Sequence, residues 1–228
     1  MDMNTSKKLK IKLNNKSVVK CIDLFAGTGA FTLALEKNKR FNCVFTNDMV
    51  DCSKKIYNLN HPSHNFVLGD LTKIDVNDIP SHDLLCGGFP CQPFSLAGEK
   101  KGFEDKRSNV FWSIIEILEK HKPKTIILEN VKNLKSHDKG NTYKRISESL
   151  KNLGYKIKEA ILDTSKITDV PQHRERIYIV GFLEQDKYDK FNFDFPKIEN
   201  KKISDFLEED VDEKYYYKED KYMYKLLE

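Results

Sequence analysis

The chain lacks the marks of several common protein classes. No apolar run approaches the ~18 residues that a membrane helix needs, so no membrane partner is expected. The five cysteines (Cys21, Cys43, Cys52, Cys86 and Cys91) are odd in number and include no CxxC pair. With no secretory leader either, this predicts a reducing, cytoplasmic setting in which thiols act as small apolar groups or as reagents. Cys86 and Cys91 have no matching second pair, and the nearby histidines form no ligand cluster in sequence, so no metal site is expected. There is no Gly-Lys-Ser/Thr to make a phosphate loop, and Thr32 stands where a dinucleotide fingerprint wants its third glycine. No internal repeat is present. The net charge of +4 permits nucleic acid as a partner without demanding it.

What is present has the organisation of one domain with a tail. Residues 1–17 are Lys- and Asn-rich and predict a flexible basic tail. From Val18, short apolar runs alternate with helical patterns. VVKCIDLF, CVFTND, NFVLGD, DLLCGG, TIILENV, KIKEAILD and RIYIVGFL read as strands. FTLALEKN and SKKIYNLN have helical character, and NVFWSIIEILEKHK repeats Phe111, Ile114, Ile115 and Leu118 at helical spacing. NTYKRISESLKNLGY predicts an amphipathic helix, capped by Asn141 and stopped by Gly154. Strands alternating with helices, several of them apolar throughout, predict an α/β fold with a mostly parallel sheet covered on both faces. The pattern fades after Pro196, with KKISDFLEED as a possible short helix.

The chemistry gathers at predicted strand ends, where open α/β sheets bind ligands. CIDLFAGTGAF ends the first strand with Asp23, Gly27 and Gly29, and glycines there let the backbone approach a ligand. With both pyrophosphate motifs absent, the remaining option is a nucleoside cofactor such as S-adenosylmethionine. Asp23 suits its cationic methionine end. Asp48 closes the second strand, where it suits ribose hydroxyls, and Asp70 closes the third, where it suits an adenine amino group. Each acid alone is as readily a helix cap; three at successive strand ends favour the nucleoside site. The next strand runs into GGFPCQPFS. A buried structural thiol is the default for Cys21 or Cys86. Gly87, Gly88, Pro90 and Pro93 instead set Cys91 on a constrained turn at the ligand side of the sheet.

DLFAGTGAF, GFPCQPFS, LENV and QHRERIY occur in this order, and over residues 18–196 the chain resembles the DNA (cytosine-5) methyltransferases of bacterial restriction-modification systems. The resemblance implies a Rossmann-like S-adenosylmethionine-dependent methyltransferase fold and methyl transfer to carbon 5 of a cytosine flipped out of duplex DNA. It implies that Cys91 is the covalent nucleophile, that Glu129 contacts the ring nitrogen and amino group of cytosine, that Arg176 holds the carbonyl oxygen, and that Arg174 helps order the site. Cofactor contacts are implied for Asp23, Phe25, Ala26, Gly27, Thr28, Gly29, Asp48, Met49, Asp70, Leu71, Pro90 and Val110. The stretch 95–108 resembles the mobile loop that closes over flipped DNA, with Gln92, Ser95, Lys100, Lys101 and Arg107 as DNA contacts. Two departures are mild: Ala30 replaces a common glycine, and Asp48 stands for the usual glutamate. A larger one is that the family's target-recognition lobe and last two motifs are not matched. Residues 197–228 are expected to be the incomplete start of that lobe or a linker. A second polypeptide carrying the lobe and the closing helix is therefore expected. A catalytically idle remnant is the alternative, and an RNA cytosine-5 methyltransferase a more distant one. The expected location is the cytoplasm of a bacterium or of a virus-infected host cell.

Overall fold

The computed structural model describes residues 18–90, 110–199 and 201–215. Contacts divide the chain into two units, Met1–Leu162 with Glu175–Asp194, and Asp163–Arg174 with Phe195–Glu228.

The first unit is built on a seven-stranded sheet. Its strands are β1 (Val19–Leu24), β2 (Phe41–Asp48), β3 (Phe66–Leu68), β4 (Leu84–Gly88), β5 (Thr125–Val131), β6 (Lys156–Asp163) and β7 (Glu175–Phe182), in the order β3-β2-β1-β4-β5-β7-β6. β1 pairs in parallel with β2 and β4, β2 with β3, and β4 with β5. β7 inserts antiparallel to β5. The order reverses at β1, so its carboxyl end opens a crevice between the two halves of the sheet. All the apolar runs expected to be strands are strands. Their pairing order follows from contacts distant in sequence, which local pattern does not encode.

The α-helices described in this unit are α1 (Ala30–Glu36), α2 (Asp51–Asn60), α3 (Val110–His121), α4 (Asn141–Asn152) and, after β7, a short helix at Gln185–Lys190. Phe111, Ile114, Ile115 and Leu118 of α3 are buried in one cluster with Ile22 and Leu24 of β1, Leu85 of β4 and Leu128 of β5. A central strand covered on both faces is buried throughout, and β1 shows this from Cys21 to Leu24, where the one polar side chain, Asp23, is hydrogen-bonded to Thr32. The cap of α4 differs from expectation. Gly140, at φ 89°, is the N-cap, and Asn141 is already the first helical residue. The chain reaches that cap through Asp138 and Lys139 at φ 50° and 54°, and glycine continues such left-handed backbone at least cost.

The second unit contains the short helix α5 (Thr164–Ile167) and a single turn at Ile203–Phe206, where the sequence suggested a helix. Asp163 caps α5, accepting from Ser165 N and Oγ at 3.1 and 3.0 Å. Asp163 also receives His173 Nδ1 at 2.6 Å and Arg174 N at 3.2 Å. Lys201 pairs with Asp169 at 2.9 Å.

Candidate active site

The loop after β1 is held in an unusual path. Phe25, Gly27 and Gly29 have φ of 55°, 56° and 96°. A bulky residue in this region costs of order 1–3 kcal/mol and persists where its surroundings impose it. Here Ala26 N donates to Asn47 O at 3.0 Å and Gly29 N to Ala26 O at 2.8 Å. Gly27 N donates to Asp48 Oδ2 at 2.8 Å, while Asp48 Oδ1 accepts from Val50 N at 2.9 Å. The β2 end is tied in turn to the β3 end. Asn47 Nδ2 donates to the carbonyls of Val67 and Gly69 at 2.9 and 3.0 Å, and Gly69 N to Asp48 O at 3.0 Å. Asn47 was not singled out in the sequence, where it is one polar residue near the end of an apolar strand.

Asp23 has a different place from the one its sequence position suggests. It is completely buried, and its Oδ2 accepts from Thr32 N and Oγ1 at 3.1 and 2.8 Å, so it anchors α1 to β1. Burial pushes its carboxyl up to about 7, against the opposing pull of the Thr32 hydrogen bonds. Asp70 accepts from Thr72 N and Oγ1 at 3.0 and 2.8 Å, and these bonds hold its carboxyl below the ordinary range. Leu71 and Ala26 are buried, whereas Thr28, Met49 and Pro90 are exposed. Val110 is half-buried at the start of α3.

At β4 and β5 the structure brings two of the expected catalytic residues together. Gly88 pairs with Glu129, and Val131 with Arg176, so Glu129 and Arg176 lie near the carboxyl end of β5. Arg176 Nε is 3.1 Å from Glu129 Oε1, with both side chains mostly buried. A Cβ at Gly88 would stand 3.3 Å from Glu129 Oε2, so glycine keeps the space before this carboxylate open. Asn130, buried between Glu129 and Val131, donates from Nδ2 to Phe89 O at 2.9 Å. That bond fixes the chain two residues before Cys91. Arg174 lies in the second unit, where it is exposed. Cys91, Gln92, Ser95, Lys100, Lys101 and Arg107 lie outside the described residues. Cys21 and Cys86 are buried thiols in the sheet, and burial raises Cys86 far from reactivity.

Residues 19–227 match the family model described as C-5 cytosine-specific DNA methylase. A type II methyltransferase of Lactococcus lactis subsp. cremoris, M1.ScrFI, is 43% identical over 198 residues, covering 86% of this chain and 50% of that protein. M.NlaX of Neisseria lactamica is 46% identical over 197 residues, covering 86% and 62%. The chain thus spans about half to three fifths of the length of these relatives. Among solved structures, the Dnmt2 methyltransferase of S. pombe superposes with a TM-score of 0.68 at 28% identity, covering 87% of this chain and 63% of the other. With the mostly parallel sheet, the crevice at β1 and the Glu129–Arg176 pair in place, the match over nearly the whole chain shows that it belongs to the C-5 cytosine-specific DNA methylase family.

Proposed function

We propose that the chain is the catalytic part of a DNA (cytosine-5) methyltransferase that works through a covalent Cys91 adduct on a flipped cytosine in duplex DNA. The observation that carries this reading is the Glu129–Arg176 pair facing Gly88, with Cys91 three residues beyond that glycine. Carbon 5 of cytosine is a poor nucleophile, and covalent catalysis remedies that. The Cys91 thiolate adds to carbon 6, and the ring electrons move toward carbon 5. Glu129, hydrogen-bonded to the ring nitrogen and amino group, stabilises the electron density displaced into the ring. Arg176 has five N–H donors. Its Nε serves Glu129 and its Nη1 donates to Glu175 O at 2.8 Å, which leaves further donors of the fork for the cytosine carbonyl. Arg174 is assigned a role in ordering the site. Once carbon 5 has taken the electrophilic methyl group, loss of the carbon-5 proton to a base lets the thiolate leave and restores the ring.

The strand-end crevice fits S-adenosylmethionine, which when bound supplies an electrophilic methyl group. A Cβ at Gly27 or Gly69 meets no heavy atom within 4 Å, so both glycines border open space at the ends of β1 and β3. Asp48 sits between them with acceptor capacity for ribose hydroxyls, and Asp70 for the adenine amino group. Phe25, Ala26, Thr28, Gly29, Met49, Leu71, Pro90 and Val110 complete the proposed contacts, while buried Asp23 supports the loop from beneath. Gln92, Ser95, Lys100, Lys101 and Arg107 are assigned to the DNA, chiefly its phosphates.

We further infer that a second polypeptide supplies target recognition and closes the cofactor pocket. Reading a DNA sequence requires side chains that reach base edges. Leu33 of α1 and Ile56 and Leu59 of α2 are exposed apolar side chains suited to burial by a partner. Transfer of labelled methyl groups to duplex DNA, transfer RNA and a nucleic-acid-free control tests both statements, with and without the product of the neighbouring reading frame. Site-specific methylation of duplex DNA is expected when that partner is added. Preference for transfer RNA contradicts the substrate. Efficient sequence-specific methylation by the isolated 228-residue monomer contradicts the partner.

A further inference from the structure

The ends of α1 and α2 meet in a cluster that takes no part in the proposed chemistry. Glu36 is the last residue of α1, His61 caps the carboxyl end of α2, and His64 follows one turn later, its N–H donating to His61 O at 3.1 Å. The two imidazoles stack with centroids 5.6 Å apart and planes 9° apart. His61 Nδ1 lies 2.6 Å from Glu36 Oε2, and His64 Nε2 lies 3.1 Å from Glu36 Oε1. One nitrogen of each ring and a carboxylate oxygen all fall within 4.8 Å of one another.

We propose that Glu36, His61 and His64 form a binding site for a divalent transition metal of the zinc class. Two imidazole nitrogens and one carboxylate oxygen are a zinc ligand set, with a fourth position for water. A hydrogen-bonded ion pair is the simpler account of the cluster, but it leaves one atom unexplained. The His61 side chain is 1% exposed, and its Nδ1 makes no hydrogen bond of acceptable geometry despite the 2.6 Å contact with Glu36. A cation between the two groups satisfies that nitrogen directly. The surroundings already orient His64 as a ligand. Its Nδ1 meets the Tyr57 hydroxyl at 3.2 Å, and that hydroxyl is tied to Thr46 Oγ1 at 2.9 Å, which presents Nε2 toward Glu36. Metal-bound histidines are commonly fixed in this way through their second nitrogen. A common centre ~2 Å from each donor requires donors as far apart as 4.8 Å to close in and the 2.6 Å His61–Glu36 contact to open. Glu36, 36% exposed, lies on the route from solvent.

The site has a structural consequence. A Cβ at Gly29 would stand 2.8 Å from His61 Nε2, so this ring packs directly behind the loop after β1. A metal joining α1 to α2 therefore stiffens that loop. Sequence reading missed the cluster because Glu36 is remote in sequence from both histidines, and no short-range spacing announces the three as a set.

The test is a titration of the metal-stripped 228-residue chain with Zn²⁺ against a chromophoric chelator, and with Co²⁺ followed by visible absorption. One Zn²⁺ per chain is expected, with Co²⁺ bands of a nitrogen–oxygen site and no thiolate charge-transfer band. Glu36→Gln, a nearly isosteric change at a partly exposed position, and His64→Ala should each weaken binding at least tenfold with unchanged far-ultraviolet circular dichroism. His121→Ala, outside the cluster, should leave it unchanged. Absence of stoichiometric binding, a thiolate band, or equal affinity in Glu36→Gln overturns the proposal.

Discussion

Asp48 and Asp23 show how similar strand-end acids acquire different duties. Asp48 is half-buried and bonds two loop N–H groups while bordering the crevice. Asp48→Ala should lose a ribose contact of roughly 1–3 kcal/mol, about a factor of 5–150 in S-adenosylmethionine affinity. Calorimetry checks this, and unchanged affinity removes Asp48 from the site. Asp23 is internal. Its folded-state carboxyl, near 7, lies above the ordinary value of 3.8, so the native state holds this proton more tightly than the unfolded chain. Stability from this group is fully present below about pH 4 and declines as pH rises through about 7, by on the order of 4 kcal/mol at most. Asp23→Asn should remove that decline. Urea unfolding of both proteins at pH 4.5 and 7.5 measures the difference, and identical pH dependence contradicts the assignment. Sequence placed both acids at strand ends. It did not separate them, because the distinction depends on Thr32 folding back onto Asp23 and not onto Asp48.

At the scale of elements, period and punctuation carried most of the information. Apolar runs located every strand, and the Phe111–Leu118 spacing located α3, because burial on both faces of a sheet imposes those patterns. The antiparallel insertion of β7 was not legible, nor was its result, the meeting of Glu129 with Arg176. LENV and QHRERIY are far apart in sequence, and only the resemblance assigned both to the same cytosine. Gly29 joins loop and helix packing at one residue. It has φ 96°, and an added Cβ would stand 2.8 Å from His61 and 2.9 Å from Tyr57. Gly29→Ala should therefore cost roughly 2 kcal/mol or more, from left-handed strain and overpacking. A chemical-denaturation midpoint unchanged from the parent would contradict this packing.

For the whole molecule, the sheet order and the family match support one account. A core of the C-5 cytosine-specific DNA methylase family has a crevice at the carboxyl end of β1, proposed for the cofactor, and the Glu129–Arg176 pair at β5, proposed for cytosine, with β4, whose chain leads to Cys91, between them. Its central claim is the covalent role of Cys91, and 5-fluorocytosine tests it most directly, because fluorine is not removed as a proton and the adduct persists. Duplex DNA carrying that base should form a denaturant-resistant complex with the chain in the presence of S-adenosylmethionine and the recognition polypeptide. Peptide mapping should place the DNA on Cys91, and Cys91→Ser should form no complex. A denaturant-resistant complex that survives Cys91→Ser, or that maps to another residue, would contradict the account.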